Sequence, residues 1–224
     1  MHFQSLLSRI QVPYPFPLPV LQDGSVEGVR CEDHLTFVVP PAGKDKFIEF
    51  WKDFAFKLSF RQQEWETIEF PATHIALTQD GEVSNCADMI GASVPNERQS
   101  PIYKAFELYG DHCTVDTDCF DITIPGLPQH LAYSLDARCP FEDARAAIRA
   151  LGYEHFTPVL EYVDKDGAIL RQSFFGCQIP YGPFGELIQR VPSPGTNEPF
   201  KGFSPRQIDD LYRYYVAHSE ALRR

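Results

Sequence analysis

The sequence lacks the features that mark several specialised classes of protein. It has no run of about 18 apolar residues, so no segment is expected to cross a membrane as a helix. Residues 1–10 lack the continuous apolar stretch of a secretory signal. The six cysteines form no C-x-x-C pair, and a chain of this length needs no disulfides to be stable, so reduced thiols are expected. These absences together predict a cytoplasmic protein.

Positive charge is also scarce. The chain has 20 lysines and arginines against 31 aspartates and glutamates, which gives a formal net charge of -11. Such a surface repels phosphate backbones and anionic lipid headgroups, which weighs against nucleic-acid and membrane partners. The expected partner is therefore a small molecule.

The N-terminal segment is rich in proline. Residues 1–30 include prolines at 13, 15, 17 and 19, which force extended backbone and remove hydrogen-bond donors. This segment is predicted to be an extended arm. The remaining chain is long enough, and at 43% hydrophobic residues apolar enough, to bury a substantial core.

The arm is followed by a predicted strand, a helix and two further strands, in that order. Residues 34–39 have the apolar pattern of a buried strand, and the spacing of the aromatic residues over 44–56 predicts a helix. Two strand-like runs come next, at 57–66 and 73–78.

The same order then recurs. Residues 130–135 repeat the apolar pattern of the first strand, and a helix that ends at Gly152 follows. Strands are predicted at about 155–163, 168–176 and 184–191. A tandem repetition of one supersecondary unit explains this order better than a single irregular domain does.

The repeat predicts an α+β fold of two paired βαβββ modules with a C-terminal helix. The first module covers residues 31–125 and is predicted to carry an insertion, a candidate lid or substrate loop, because His130 lies 96 positions after His34 whereas Glu186 lies only 56 positions after His130. The second module covers 126–192. Residues 193–224 form the C-terminal segment, whose helix begins at the capping box of Ser204-Pro205-Arg206-Gln207.

Three residues of this scheme form a candidate metal site. His34 and His130 open equivalent strands, and Glu186 lies on the last strand, so pairing of the modules can bring the three together. Two imidazoles and one carboxylate leave about three adjacent positions of an octahedral metal open, which is typical of non-heme iron(II) oxygenases. The pattern therefore predicts His34, His130 and Glu186 as ligands of iron(II) or another divalent metal.

Two further residues are candidate metal ligands. His74 opens a similar strand-like run and competes with His34 for the first ligand position. Glu107, in the run Phe106-Glu107-Leu108-Tyr109, is a candidate fourth ligand on the end strand of the first module. A site with two histidines and two glutamates would suit isomerase or lyase chemistry better than oxygen activation.

Candidate substrate contacts lie near the ligands in sequence. Gln129 and Gln189 flank them and are predicted to hydrogen-bond the substrate or to orient a ligand. Phe200, Phe203 and Tyr212 are predicted to line or gate the cavity, although aromatic residues beside a final helix also serve as plain packing.

Three motifs resemble the metal-binding motifs of the 4-hydroxyphenylpyruvate dioxygenase family: Asp33-His34-Leu35, Gln129-His130-Leu131-Ala132 and Gly185-Glu186-Leu187-Ile188-Gln189-Arg190. Phe200-Lys201-Gly202-Phe203 and the helix after it resemble that family's closing segment. The resemblance covers the chain from about Cys31 to its end and implies the vicinal oxygen chelate superfamily. It also implies that His34, His130 and Glu186 bind iron(II).

The resemblance implies an iron(II)-dependent dioxygenase that acts on a small chelating substrate such as an α-keto acid, by oxidative decarboxylation and hydroxylation. Dioxygen would be the second substrate. The alternatives are a metal-dependent isomerase, lyase or extradiol-type ring-cleaving enzyme on the same fold, or a binding protein without catalysis. Paired modules are also compatible with a homodimer.

Overall fold

The computed structural model describes residues 7–55, 61–78, 89–117, 120–196, 198–200 and 203–224. Its strands and helices, numbered in chain order, are β1 (Ile10–Gln11), β2 (Val29–Val38), α1 (Lys44–Ala55), β3 (Arg61–Glu66), β4 (Ala72–Thr78), β5 (Met89–Pro95), α2 (Lys104–Tyr109), β6 (His112–Asp116), β7 (Asp121–Pro125), β8 (Leu127–Leu135), α3 (Phe141–Ala150), β9 (Leu160–Val163), β10 (Ile169–Phe175), β11 (Phe184–Val191) and α4 (Pro205–Leu222). Short 3-10 turns precede α1 and α2.

One eight-stranded sheet contains the elements of the predicted repeat. Its strand order is β3-β4-β5-β2-β8-β11-β10-β9. The central strands β2 and β8 are antiparallel, whereas β2 pairs in parallel with β5 and β8 pairs in parallel with β11. Each half of the sheet therefore has the same βαβββ order, and the predicted α+β fold of paired modules is confirmed.

Within the described part of the chain, the residues between β5 and β8 are additional to the βαβββ order of the first half. They form α2, β6 and β7, and β6 and β7 build a separate three-stranded sheet with β1 of the N-terminal arm. In this sheet Ile10 pairs with Val115. The predicted strand at 57–66 begins at Arg61 within the described residues; positions 57–60 lie outside them.

The two faces of the large sheet have different roles. Leu35 and Phe37 of β2 are fully buried with Phe47 and Trp51 of α1 in one core cluster. His34 and Thr36 alternate with them and so face the other side of the sheet. The helix-covered face is filled mainly with apolar side chains, whereas the opposite face carries the buried polar residues His34, Thr36 and His130 of the central strands.

Helix α4 packs against that opposite face. Its N-terminus has the predicted capping box: the Ser204 hydroxyl accepts from the Gln207 backbone N–H, and the Gln207 side chain accepts from the Ser204 N–H. Tyr212 and Tyr215 are buried in a second core cluster. Within the described residues, no helix has both the length and the apolar character needed to span a bilayer.

Candidate metal centre

Three neighbouring strands position the predicted ligands. His34 of β2 and Glu186 of β11 are both register partners of Ala132 on β8, which runs between them. His130 lies two residues before Ala132 on β8, so its side chain points to the same face. The register of the sheet therefore brings together three residues that are far apart in sequence.

The three donor atoms form a small buried triangle. The Nε2 atoms of His34 and His130 are 3.1 Å apart, and the Glu186 Oε2 atom is 3.2 Å and 3.4 Å from them, respectively. Each residue is at most 3% exposed. A divalent ion at ordinary bond lengths holds adjacent donor atoms about 3.0 to 3.5 Å apart, so the triangle has the dimensions of one face of a coordination shell. The donor set and its spacing fit a divalent metal.

A β-bulge precedes each histidine. The ladder between β2 and β8 has one extra residue on β2 between Glu32 and His34, namely Asp33, and one extra residue on β8 before His130, namely Gln129. A bulge redirects a side chain that would otherwise point to the opposite face. Both extra residues use this freedom to contact the histidine that follows them.

These contacts fix the histidine rings. The Nδ1 atom of His34 lies 2.9 Å from Asp33 Oδ1, and the Nδ1 atom of His130 lies 3.2 Å from Gln129 Oε1. When each Nδ1–H donates to its neighbour's oxygen, the lone pair of each Nε2 points at the centre of the triangle. Hydrogen bonds of this kind orient metal-binding histidines in many proteins.

The charges of the cluster favour a cation. Burial alone would lower the pKa of His34, but the Glu186 carboxylate and Asp33 raise it to about 9. Burial and the positive charge of His34 hold the pKa of His130 well below its ordinary value. A metal ion that binds here must therefore displace the His34 proton.

Gln172, which sequence analysis missed, orients the carboxylate. Its Nε2 atom donates to Glu186 Oε1 over 2.7 Å, which leaves Oε2 to face the histidines. The Gln172 Oε1 atom is buried and has no hydrogen-bond partner among the described residues. The sequence signal was the alternation along β10, which places Gln172 on the same sheet face as its register partner Ile188 and hence as Glu186.

His74, the rival ligand, has another role. Its Nδ1 lies 2.9 Å from the Ser93 hydroxyl and its Nε2 lies 2.9 Å from the Thr67 hydroxyl. The Thr67 hydroxyl donates to the Phe70 carbonyl, so it accepts from Nε2–H, and Ser93 donates to Nδ1. Burial lowers the pKa of His74 to about 4. His74 is thus a neutral, fully hydrogen-bonded residue outside the cluster of His34, His130 and Glu186.

A cavity of about 60 Å³ adjoins the triangle. It extends from Glu186 and Gln172 across the first module to His74, and Phe203 and Tyr212 of the C-terminal segment line it. Among the described residues that line it there is no lysine or arginine. The cavity therefore offers neutral and apolar walls beside the cluster of ligand atoms.

Comparison with known proteins identifies the fold. No protein-family profile and no curated protein matches the sequence. Among solved structures, a xylose isomerase-like TIM barrel/4-hydroxyphenylpyruvate dioxygenase fusion protein has a TM-score of 0.55 at 16% identity, over 86% of this chain and 30% of that one. A mutant of 4-hydroxymandelate synthase from Streptomyces coelicolor has a TM-score of 0.53 at 19% identity, over 85% and 55%. The chain has the vicinal oxygen chelate fold.

This chain spans 30% and 55% of the lengths of those two proteins. A methylmalonyl-CoA epimerase is a more distant neighbour, with a TM-score of 0.48 at 16% identity over 74% of this chain and 98% of that one. The vicinal oxygen chelate fold expected from the sequence motifs is confirmed, and at these identities the likeness concerns the fold alone.

The two modules of this vicinal oxygen chelate fold are equivalent, so each site position in one module has a counterpart in the other. Glu186 pairs with Ala132, two residues after His130. In the first module, the residue that pairs with Thr36, two residues after His34, is Gly91. Gly91 therefore occupies the counterpart position of Glu186, and the first module supplies no carboxylate there.

Glu107 does not fill that position. It lies on helix α2 and is exposed, so the predicted end strand at this point is wrong. The helix is bounded by the turn at Pro101 and by Gly110, whose positive φ of 89° ends it. Four consecutive residues alternate too briefly to distinguish a strand from one turn of helix.

The predicted substrate contacts separate into two groups. Gln129 and Phe203 lie at the site, the latter with its ring centroid 5.2 Å from that of His34. Gln189 lies on the opposite face of the sheet, where its Nε2 donates to the carbonyls of Asp136 and Cys139, both at 2.8 Å. The structure thus does not bring Gln189 to the site.

Phe200 also lies away from the cavity. It packs in a small cluster with Ala168, Leu170 and Ile188, beside Phe203. These contacts pack Phe200 against β10 and β11.

Proposed function

We propose that His34, His130 and Glu186 bind one iron(II) ion and that the chain is a dioxygenase acting on a small chelating substrate such as an α-keto acid. The observation that carries this proposal is the buried triangle of donor atoms, with edges of 3.1 to 3.4 Å, beside a cavity. An iron(II) ion held there would supply a Lewis acid and one-electron chemistry toward dioxygen.

The number of protein ligands supports an oxygenase. Gly91 stands where a fourth, carboxylate ligand would belong by the equivalence of the modules. Three protein ligands leave room for a bidentate substrate together with dioxygen, whereas two carboxylates would suit an isomerase or lyase.

The walls of the cavity support a chelating substrate. No lysine or arginine among the described lining residues is available to pair with a carboxylate. An acidic substrate must therefore place its carboxylate at the metal side of the cavity, as an α-keto acid does when both of its oxygens chelate. Its remaining part would lie between apolar side chains such as Met89 and Phe174 and neutral polar ones such as His74.

The chain's own residues position and enclose the reactants. Asp33 and Gln129 hold the histidine rings, and Gln172 holds the carboxylate of Glu186. Phe203 and Tyr212 of the C-terminal segment line the cavity, and with a bound substrate these aromatic side chains would limit the access of water to the metal. In this scheme no side chain transfers a proton to the substrate.

An isomerase, a lyase, an extradiol-type ring-cleaving enzyme and a binding protein are the alternative functions. A binding protein would have no use for three oriented donor atoms, which weighs against that alternative. The proposed partners are a small molecule and dioxygen, while a homodimer, a cytoplasmic location and the boundaries of the arm and modules stay predictions.

Oxygen consumption tests the proposal. Protein purified without oxygen and supplied with iron(II) is mixed with a panel of α-keto acids, and dioxygen uptake and carbon dioxide release are recorded. We expect both to rise in step for at least one substrate and to be lost in His130→Ala. Turnover of a substrate at the same rate without oxygen would favour the isomerase or lyase.

A further inference from the structure

The two histidines of the candidate metal centre are held by different chemistry. His130 is held by the neutral amide of Gln129, which in turn contacts the Tyr212 hydroxyl at 3.2 Å. His34 is held by the carboxylate of Asp33. A carboxylate partner makes an imidazole a stronger electron donor than an amide does. His34 is therefore the better placed of the two to dominate metal affinity.

A buried carboxylate needs its own partner, and Asp33 has Arg190. The Arg190 guanidinium makes two parallel hydrogen bonds: an Nη1–H donates to Asp33 Oδ2, and an Nη2–H donates to Asp33 Oδ1 over 3.1 Å. The two side chains are 7% and 6% exposed. Such bidentate geometry fixes orientation as well as charge. The Asp33 carboxylate is thus held between the Arg190 guanidinium on one side and the His34 ring on the other.

The position of Arg190 explains how it reaches Asp33. It lies four residues after Glu186 on β11, so its side chain is on the same sheet face as the ligand. Asp33 reaches this face because it is the extra residue of the β2 bulge. One strand therefore supplies both the carboxylate ligand and the residue that anchors the partner of His34.

The Phe203 ring contacts both Arg190 and His34. The Arg190 Cζ atom lies 5.8 Å from the centroid of the Phe203 ring, and the same ring meets the His34 ring edge to face. The aromatic ring covers the guanidinium and the imidazole together, which restricts both.

We propose that Arg190 is a positioning residue that sets the metal affinity of the centre by acting on His34 through Asp33. This inference rests on the proposed metal site. It predicts that Arg190 and Asp33 form one functional unit and that neither contributes to metal binding without the other.

The test uses cobalt(II) as a probe in the full chain. Its dissociation constant is measured for the wild type, Asp33→Asn, Arg190→Met and the double variant, with the visible absorption of bound cobalt(II) as the readout of ligand geometry. We expect each single change to weaken binding by about 10- to 100-fold and to shift the absorption spectrum. The double variant should bind no more weakly than the weaker single variant.

Arg171→Met is the matched control. Arg171 lies on the adjacent strand β10 but on the opposite face, where it pairs with Glu161. Its removal should change neither the affinity nor the spectrum. Arg190→Lys keeps the charge without the fork and should recover part of the affinity lost in Arg190→Met; it also carries the test if the methionine variant does not fold.

Two results would overturn the inference: a folded Arg190 variant with wild-type affinity and spectrum, or losses that multiply in the double variant. Failure of the wild type to bind cobalt(II) would refute the metal site and this inference together. If the wild type binds cobalt(II) and the Arg190 variants bind it with the same affinity and spectrum, the role of Arg190 is refuted while the metal site stands.

Discussion

The Nε2 atoms of His34 and His130 lie 3.1 Å apart although the two histidines are 96 positions apart in the chain. The antiparallel pairing of β2 and β8 brings them together, and a bulge before each one supplies the residue that orients its ring. The candidate metal centre is thus a direct product of how the two modules join.

The bulge residue Gln129 provides the first prediction. Gln129→Met removes the acceptor for His130 Nδ1, so the ring loses its orientation and metal affinity should fall by about 10- to 100-fold. Titration of the metal-free protein with cobalt(II) measures this effect. Gln189→Met is the matched control, because Gln189 is equally buried but on the other face of the sheet. It should lower stability and leave affinity unchanged, and equal losses of affinity would contradict the assignment.

Much of this arrangement was predictable from sequence, because the repeat of strand and helix patterns implied paired modules. Pairing alone is enough to bring His34, His130 and Glu186 together. The alternation along β11 could also have excluded Gln189, which is three residues after Glu186 and therefore on the opposite face.

Other features could not be read from the sequence. The ion pair of Asp33 with Arg190 joins residues 157 positions apart, and the bulge that permits it leaves no clear local pattern. Gly91 carries no chemistry that would single it out until the register of β2 with β5 is known. The residues between the modules follow neither copy of the repeat, so there was no second instance from which to infer their elements.

A second prediction concerns the missing fourth ligand. A Cβ atom on Gly91 would lie 2.6 Å from the Thr36 hydroxyl oxygen, so a side chain there requires Thr36→Ala as well. In that background, Gly91→Glu adds a carboxylate at the counterpart position of Glu186. Metal should be retained while oxygen uptake with an α-keto acid falls strongly, as recorded with an oxygen electrode.

The control for this experiment is Gly91→Gln in the same background, since an amide of equal size is a weaker ligand than a carboxylate. We expect the glutamine variant to keep more oxygen uptake than the glutamate variant. If both lose it equally, bulk alone explains the effect.

The third prediction is a loss of stability in mild acid. Burial lowers the pKa of His74 to about 4, against a small opposing effect of Glu66. The unfolded chain binds a proton at His74 below about pH 6.5, and the folded chain does not until about pH 4, so stability falls as the pH falls through this window. Between pH 7.5 and 5.0 this single residue should cost about 2 kcal/mol.

Urea denaturation of the wild type and His74→Gln at both pH values measures this contribution. The free energy of unfolding of the wild type should fall by about 2 kcal/mol more than that of the variant. Equal falls would mean that His74 is not neutral in the folded protein.

The fourth prediction concerns the capping box of α4. Ser204→Ala removes the acceptor for the Gln207 N–H and should lower the free energy of unfolding by about 1 kcal/mol. Ser100→Ala is a suitable control, because Ser100 precedes a 3-10 turn and makes no side-chain cap bond. Thermal denaturation of both variants should show a lower melting temperature for Ser204→Ala only; a similar loss in both would contradict the role of the box.

The central claim is that one divalent metal is held by His34, His130 and Glu186, and metal analysis tests it most directly. Protein purified without oxygen, loaded with iron(II) and freed of excess metal is analysed by elemental mass spectrometry. The account predicts about one iron per wild-type chain and a large loss in folded His34→Ala, His130→Ala and Glu186→Gln variants. Full occupancy in all three variants, or a wild type that retains no metal, would contradict it.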